Sequence, residues 1–173
     1  MKTETFEKTI DVETYVKDYV NVEEFLDCCR QCENFNRKWS CPSYDFDPVD
    51  YWKKYDSLYV IGKKMILQEE EKENWRDLMT QVKEEMTQIL YAEEKKHPGS
   101  VSLSAGSCNL CGEDGCGRKD GKPCRFPDKM RYSIESLGGN VGLTASRLLG
   151  IELLWIEEGR VPDYFVLVGG LLY

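Results

Sequence analysis

Histidine is almost missing from this chain, with His97 the only one in 173 residues. That scarcity excludes sites built on several imidazoles and nearly excludes the mixed cysteine–histidine zinc sites of small domains. Positive charge is also in deficit: 23 lysines and arginines face 31 aspartates and glutamates, a net charge of −8. A chain this acidic lacks the basic footprint that a phosphate backbone demands, so no nucleic-acid partner is expected. No apolar run approaches the ~20 residues of a membrane span, so no membrane association is expected either. The opening segment Met-Lys-Thr-Glu-Thr-Phe-Glu-Lys carries no apolar core of the secretory-signal kind. The expectation is a cytoplasmic protein. There thiols stay reduced, and clustered cysteines serve metals or catalysis more often than disulfides.

Cysteine is missing as well from the long stretch of residues 42–107. All eight stand on either side of that gap, as Cys28, Cys29, Cys32 and Cys41 before it and Cys108, Cys111, Cys116 and Cys124 after it. The second window reads Cys-x2-Cys-x4-Cys-x7-Cys and is interleaved with Gly106, Gly112, Gly115, Gly117 and Gly121. Glycine permits positive φ and close backbone approach, which a short loop folded around a metal or cluster requires. The first window ends in Cys41-Pro42 and embeds Phe35 and Trp39.

The rest reads as one domain over residues 1–173, with 41% hydrophobic residues to supply a core. Residues 3–10 alternate weakly, as an edge strand does. Residues 11–30 read as a helix in two pieces that delivers Cys28 and Cys29 at its C-terminal end. Asp47-Pro48 is an N-cap followed by a first-turn proline. Residues 57–68 are the best central strand. Trp75, Leu78, Met79, Val82, Met86, Ile89 and Leu90 then form one apolar helical stripe, a core face, which Pro98-Gly99 terminates. A short strand at 101–105 completes a strand–helix–strand crossover, which favours parallel pairing. The second cysteine loop leaves from the end of that strand. Residues 133–149 read as two short helices broken at Gly138-Gly139, with Asn140 a cap and Gly150 a stop. Residues 151–156 and 164–168 read as a hairpin around Glu158-Gly159. The predicted fold is α/β, or α+β, with a mixed central sheet and two cysteine-rich loops.

Thiolate sulfur is the ligand for soft metal centres, and a Cys-x2-Cys step lets two sulfurs reach one centre from a tight turn. Such steps occur at Cys29–Cys32 and Cys108–Cys111. A structural zinc is usually held by two facing steps of that kind. Here the later gaps are stretched, as in iron–sulfur runs, and Pro42 follows Cys41 directly while Pro127 follows Cys124 by three. Cys108, Cys111, Cys116 and Cys124 are therefore predicted to hold an iron–sulfur cluster, of the 4Fe-4S type, with zinc as the alternative. Cys29, Cys32 and Cys41 are predicted ligands of a second centre. Cys28 is a fourth ligand there or a small buried hydrophobe, and a cysteine of one window completing the site of the other is a further arrangement. With three ligands a cluster would keep one open iron. Arg125 and Arg131 are candidates to hydrogen-bond the sulfurs, Ser133 and Glu135 to orient the following helix, and Phe35, Trp39 and Phe126 to exclude water.

The run Cys29-x2-Cys32-Glu33-Asn34-Phe35 through Trp39-Ser40-Cys41-Pro42, with Tyr55 and Ile61-Gly62-Lys63-Lys64, resembles a prokaryotic family labelled "predicted metal-binding protein". So does Ala105-Gly106-x-Cys108-x2-Cys111-x4-Cys116 continuing through Cys124-Arg125-x-Pro127, Arg131, Ser133, Glu135 and Gly138. The resemblance spans about residues 20–172, and Ser43 stands where the family's first window has a second proline. It implies metal binding and no particular reaction. The function read from the residues is redox: an electron-transfer protein, or the electron-handling part of a reductase, with a redox partner protein. A zinc-stabilised binding or adaptor protein is one alternative. An enzyme using an open iron or a reactive thiol in the first window is the other. Whether the chain is an enzyme, and its oligomeric state, are left open.

Overall fold

The computed structural model describes residues 1–173 and is built on a four-stranded sheet in the order β1–β2–β4–β3. β1 (Lys2–Asp11) pairs with β2 (Ser57–Ile66) along its whole length, from Lys2 opposite Ile66 to Asp11 opposite Ser57. It is the edge strand its weak alternation predicts, and Lys2, Glu4, Glu7 and Lys8 discourage further strands from adding there. β2 and β4 (Tyr164–Leu172) form the centre, while β3 (Val101–Leu103) pairs only with β4.

The two central strands are apolar on both faces because both faces are covered. On one side Ile61, Met65, Phe165, Leu167 and Leu171 pack against Val82, Met86 and Leu90 of α4 (Trp75–Lys96), and Trp75 stacks on Phe165 with ring centroids 4.9 Å apart. This is the predicted apolar stripe. Ile89 is the member left at the surface. On the other side Leu58, Val60, Val168 and Leu172 meet α1 (Val12–Tyr19), α3 (Pro48–Trp52) and the segment 134–149, which contains α5 (Val141–Leu143) and a following π-helical turn. Trp52 and Tyr15 are fully buried there with their polar atoms satisfied. Trp52 Nε1 donates to Leu137 O at 2.9 Å, and Tyr15 OH lies 2.7 Å from Thr144 Oγ1. A side chain of that size contributes about 2–3 kcal/mol on burial.

Local signals set the helix ends. Asp11 caps α1 through Thr14 N–H, and Asn21 caps α2 (Val22–Arg30) through Glu24 N–H. Asp47 caps α3 through Val49 N–H with Pro48 in the first turn. His97 closes α4. No helix is long and apolar enough to cross a membrane.

Three expectations change. The fold is α+β, one of the two expected classes, but its strand ladders are antiparallel throughout rather than mixed; the parallel contact is the isolated bridge between Ser104 and Ser133. The crossover from β2 through α4 to β3 exists, and the two strands run parallel, yet they are not neighbours. β4 lies between them and is antiparallel to both. Gly169 allows that insertion, because a Cβ on it would lie 2.8 Å from Leu103 O. The hairpin over 151–168 also fails. β4 pairs with β2 along its length and with β3 over Gly170–Leu172, while residues 151–156 join no strand; Leu154, Trp155 and Ile156 stay exposed, and the single bridge there joins Glu157 to Arg160. An apolar run is a weak strand signal by itself, because β-propensity depends on the packing context it meets.

Candidate metal centre

The first window starts in the last turn of α2. Gln31 N–H bonds back to the carbonyls of Cys28 and Cys29, and Cys32 N–H bonds to Cys29 O at 3.0 Å, so the turn tightens where the Cys-x2-Cys step lies. Successive helical side chains point to different sides. Cys28 is accordingly exposed, while Cys29 is half-buried against a small cavity of about 190 Å³ shared with Leu26, Pro42, Tyr44 and Glu135. Cys32 is exposed. The loop then folds around Asn36, whose N–H bonds Pro42 O at 2.9 Å and whose Oδ1 accepts from Ser43 N at 3.0 Å and Ser43 Oγ at 2.9 Å. That closure buries Cys41.

The second window follows β3 and carries two short 3-10 turns, Gly112–Asp114 and Gly117–Asp120. Gly106, Gly112, Gly115 and Gly121 take the predicted positive φ, and Gly117 does not. Cys108, Cys111, Cys116 and Cys124 are each half-buried, and all four line one cavity of about 590 Å³ together with Trp39, Ser40, Phe126 and Met130. Arg125 braces the loop by pairing with Asp114 at 3.0 Å and donating to Gly115 O and Cys111 O. Asp114 first, and then the Cys111 thiol beside it, hold Arg125 firmly charged. No three His, Cys, Asp or Glu side chains stand at metal-ligand spacing, so these thiols line a cavity and do not meet at a point. All eight are free, and none is tied into a disulfide.

The two windows are in direct contact. Cys108 N–H donates to Ser40 Oγ at 3.0 Å, and Trp39 Nε1 donates to Lys122 O at 3.0 Å. Lys38 Nζ donates to Ser107 Oγ at 3.1 Å and Asn109 Oδ1 at 3.3 Å. Arg118 reaches back across the first loop, donating to Lys38 O at 2.9 Å, to Cys41 O and Ser43 O, and to Asn36 Oδ1 at 3.3 Å, with its guanidinium 5.2 Å from the Trp39 ring centre. Loop meets loop here, without the strand adjacency the crossover suggests. Trp39 and Phe126 wall the thiol cavity as expected, while Phe35 stands half-buried outside it.

The thiols sense one another. Burial first, then Cys41, Glu135, Cys32 and Cys28, push Cys29 up to about 11. Burial likewise raises Cys41. It raises Cys108 too, with Cys111 and Cys124 adding to the effect against the Leu110 N–H that lowers it. Metal-free, these sulfurs favour the protonated form. A cation among them reverses the balance, because its charge stabilises thiolate. Burial also raises Glu135, which lies beside Cys29 in the small cavity, and lowers Lys83 of α4. Lys83 Nζ donates to Ser107 O, one residue before Cys108.

Arg131 is not turned to the sulfurs. Its guanidinium forks onto Glu94, Nε to Oε1 and Nη2 to Oε2, both at 2.7 Å. Ser133 takes part in a reciprocal turn with Ser136, whose N–H donates to Ser133 Oγ at 3.3 Å. Several site residues carry no signal as ligands. Arg118 and Lys38 were legible only as cations inside cysteine windows, and Lys83 only as one polar position on a core helix.

A family profile described as "Predicted metal-binding protein (DUF2284)" matches residues 13–173. No curated protein and no solved structure matches the chain.

Proposed function

The chain belongs to that predicted metal-binding family, and from this premise we propose that Cys108, Cys111, Cys116 and Cys124 hold an iron–sulfur cluster that carries electrons. The observation that carries the reading is the single cavity lined by all four thiols and by nothing else that titrates as a soft ligand. At about 590 Å³ it has room for a cluster. Trp39, Phe126 and Met130 place apolar surface in its wall, and the apolar shell of a centre bears on its redox potential as much as on its stability.

Cys29, Cys32 and Cys41 form the proposed second set, with Cys28 outside it. Burial supports Cys29 and Cys41; Cys28 and Cys32 are both exposed, and Cys32 is included for its Cys-x2-Cys step from Cys29. The hydrogen-bonded seam between the windows supports short-range electron passage between two centres. A nucleophilic role for Cys29 is disfavoured, because a thiol pushed up to about 11 is almost wholly protonated near neutral pH.

Anaerobic purification followed by iron, sulfide and zinc analysis tests the reading. A brown protein absorbing near ~400 nm, with iron and acid-labile sulfide in equal amounts, is the expected result for such clusters. A colourless protein with stoichiometric zinc and no sulfide would replace the cluster by a structural zinc and the electron carrier by an adaptor.

A further inference from the structure

Beside the thiol cavity lies a second concavity of about 860 Å³, between α4 and the chain that follows β3. Cys108, Asn109 and Leu110 belong to the walls of both, so a molecule seated in the second ends against the first of the four thiols. The volume is that of a small-molecule site, and only four of its sixteen lining residues are hydrophobic.

Several polar groups in this wall are already engaged with protein, and Lys129, Glu84, Glu85 and Gln81 stand exposed. Ser102 Oγ donates to Glu94, Tyr91 OH to Lys129 O, and Arg131 is taken up by Glu94 and by backbone carbonyls. Lys83 differs. Its ammonium is half-buried, its one hydrogen bond goes to Ser107 O, and it makes no ion pair. Glu135 Oε1 and Lys83 Nζ each lie 3.9 Å from the point a Cβ on Gly106 would occupy, but the two form no ion pair. Lys38 brings a second ammonium to the same residue, through Ser107 Oγ. Two cations thus converge on the residue before Cys108 with no carboxylate bonded to either, in a chain of net charge −8. Half-buried like charges are costly unless an anion offsets them.

We propose that this pocket binds a small anion, a carboxylate or phosphate, against Cys108. Lys83 supplies the charge from two ammonium hydrogens that bond nothing in the protein, and Asn109 Nδ2 supplies a second donor. Glu84 and Glu85 stand exposed at the rim and repel polyanions, which restricts the class to small ligands. The inference deepens the redox reading, on which it rests, by giving the centre a substrate class.

The test is calorimetric titration of the anaerobically purified holoprotein with inorganic phosphate and, separately, with succinate; the two arms distinguish phosphate from carboxylate. At least one should bind saturably. Lys83→Met should weaken it at least tenfold, the loss expected of one charge-assisted hydrogen bond, and Lys83→Arg should stay within threefold. Asn109→Ala, a change in an exposed loop, should weaken it severalfold and serves where Lys83→Met does not fold. Absence of saturable binding of both anions, or unchanged affinity in Lys83→Met or Asn109→Ala, overturns the proposal. So does loss of the metal in Lys83→Met with its retention in Lys83→Arg, which would make Lys83 a counter-charge to the thiolates instead. Anion binding sensitive to Lys83 in protein that holds no iron would sustain the pocket while refuting the redox reading.

Discussion

Arg118, two residues after Cys116, donates to the backbone carbonyl of Cys41, the last cysteine of the other window. The same guanidinium also holds Lys38 O, Ser43 O and Asn36 Oδ1, so one side chain organises the loop that buries Cys41. Arg118→Ala should lower stability by about 2 kcal/mol, the scale of charge-assisted hydrogen bonds lost together. It should also strip metal from the first window before the second. Lysine lacks the planar fork, so Arg118→Lys should recover little. Metal per chain and urea midpoints of the two variants check this, and native metal content in Arg118→Ala would remove the clamp from the account.

Cys111→Ser should lose the second centre and lower the melting temperature together, because metal-binding energy is folding energy where the site is built from loops. Chelator should reproduce the effect if the metal is zinc. Unchanged metal content and melting temperature would show that Cys111 is no ligand.

Cys28 and Cys29 are adjacent yet face different surroundings. Cys29→Ser should deplete metal from the first window, whereas Cys28→Ser should leave it near the native amount, because Cys28 is exposed and Cys29 faces the cavity beside Pro42 and Tyr44. Metal analysis of the two single variants decides the matter. Equal depletion would mean a closed four-cysteine site.

Glu94 accepts from both sides of Arg131 and from Ser102 N–H and Oγ. Burial alone would raise its pKa, but the Arg131 and Ser102 hydrogen bonds outweigh it and hold the carboxyl below its ordinary range. A depressed carboxylate contributes stability above its unfolded pKa and loses it as pH falls through the folded one. Glu94→Gln should therefore be about 2 kcal/mol less stable at pH 7. Its gap to the native chain should close as both are acidified. Urea midpoints across that range test the sign, and a gap independent of pH would refute it.

Gly138 has φ +82, and a Cβ there would lie 2.7 Å from Val22 Cα. Its carbonyl accepts from Asn21 N–H at 2.8 Å, which ties the turn at 135–138 to the start of α2. Gly138→Ala should cost about 2 kcal/mol or more through strain and overpacking, and should displace α2 and with it Cys29. Differential scanning calorimetry reads the first effect and metal analysis the second.

Much of this was legible in the residues, because local chemistry governs it. Asp47-Pro48 capped α3, Asn140 capped α5, and the stripe from Trp75 to Leu90 became a core face. These depend on neighbours three or four positions away. The misreading of 151–156 had another origin, since its apolar residues match a strand pattern while pairing depends on the packing of the whole sheet. The insertion of β4 between β2 and β3 is non-local in the same way. At the candidate site the cysteines announce themselves by spacing, but Arg118, Lys38 and Lys83 gain their roles from contacts across 24 to 80 positions, and a lysine on an amphipathic helix looks like any solvated one. Arg131 shows the converse: a cation beside a cysteine window whose partner, Glu94, lies 37 residues earlier on α4.

The central place of β4 also governs the timing of assembly. Residues 164–172 follow both cysteine loops in the order of synthesis, yet they supply the inner edge of β2 and the whole pairing surface of β3. While the ribosome is still making β4, the segment after Leu103 hangs from a strand with no partner. Pairings this distant along the chain form late. For that interval the four thiols of the second window hang from a strand that lacks its partner. Metal that arrives then meets isolated Cys-x2-Cys steps; metal that arrives afterwards meets the assembled seam of Ser40, Arg118 and Cys108. The order of these two events sets how exposed the nascent protein is to oxidants.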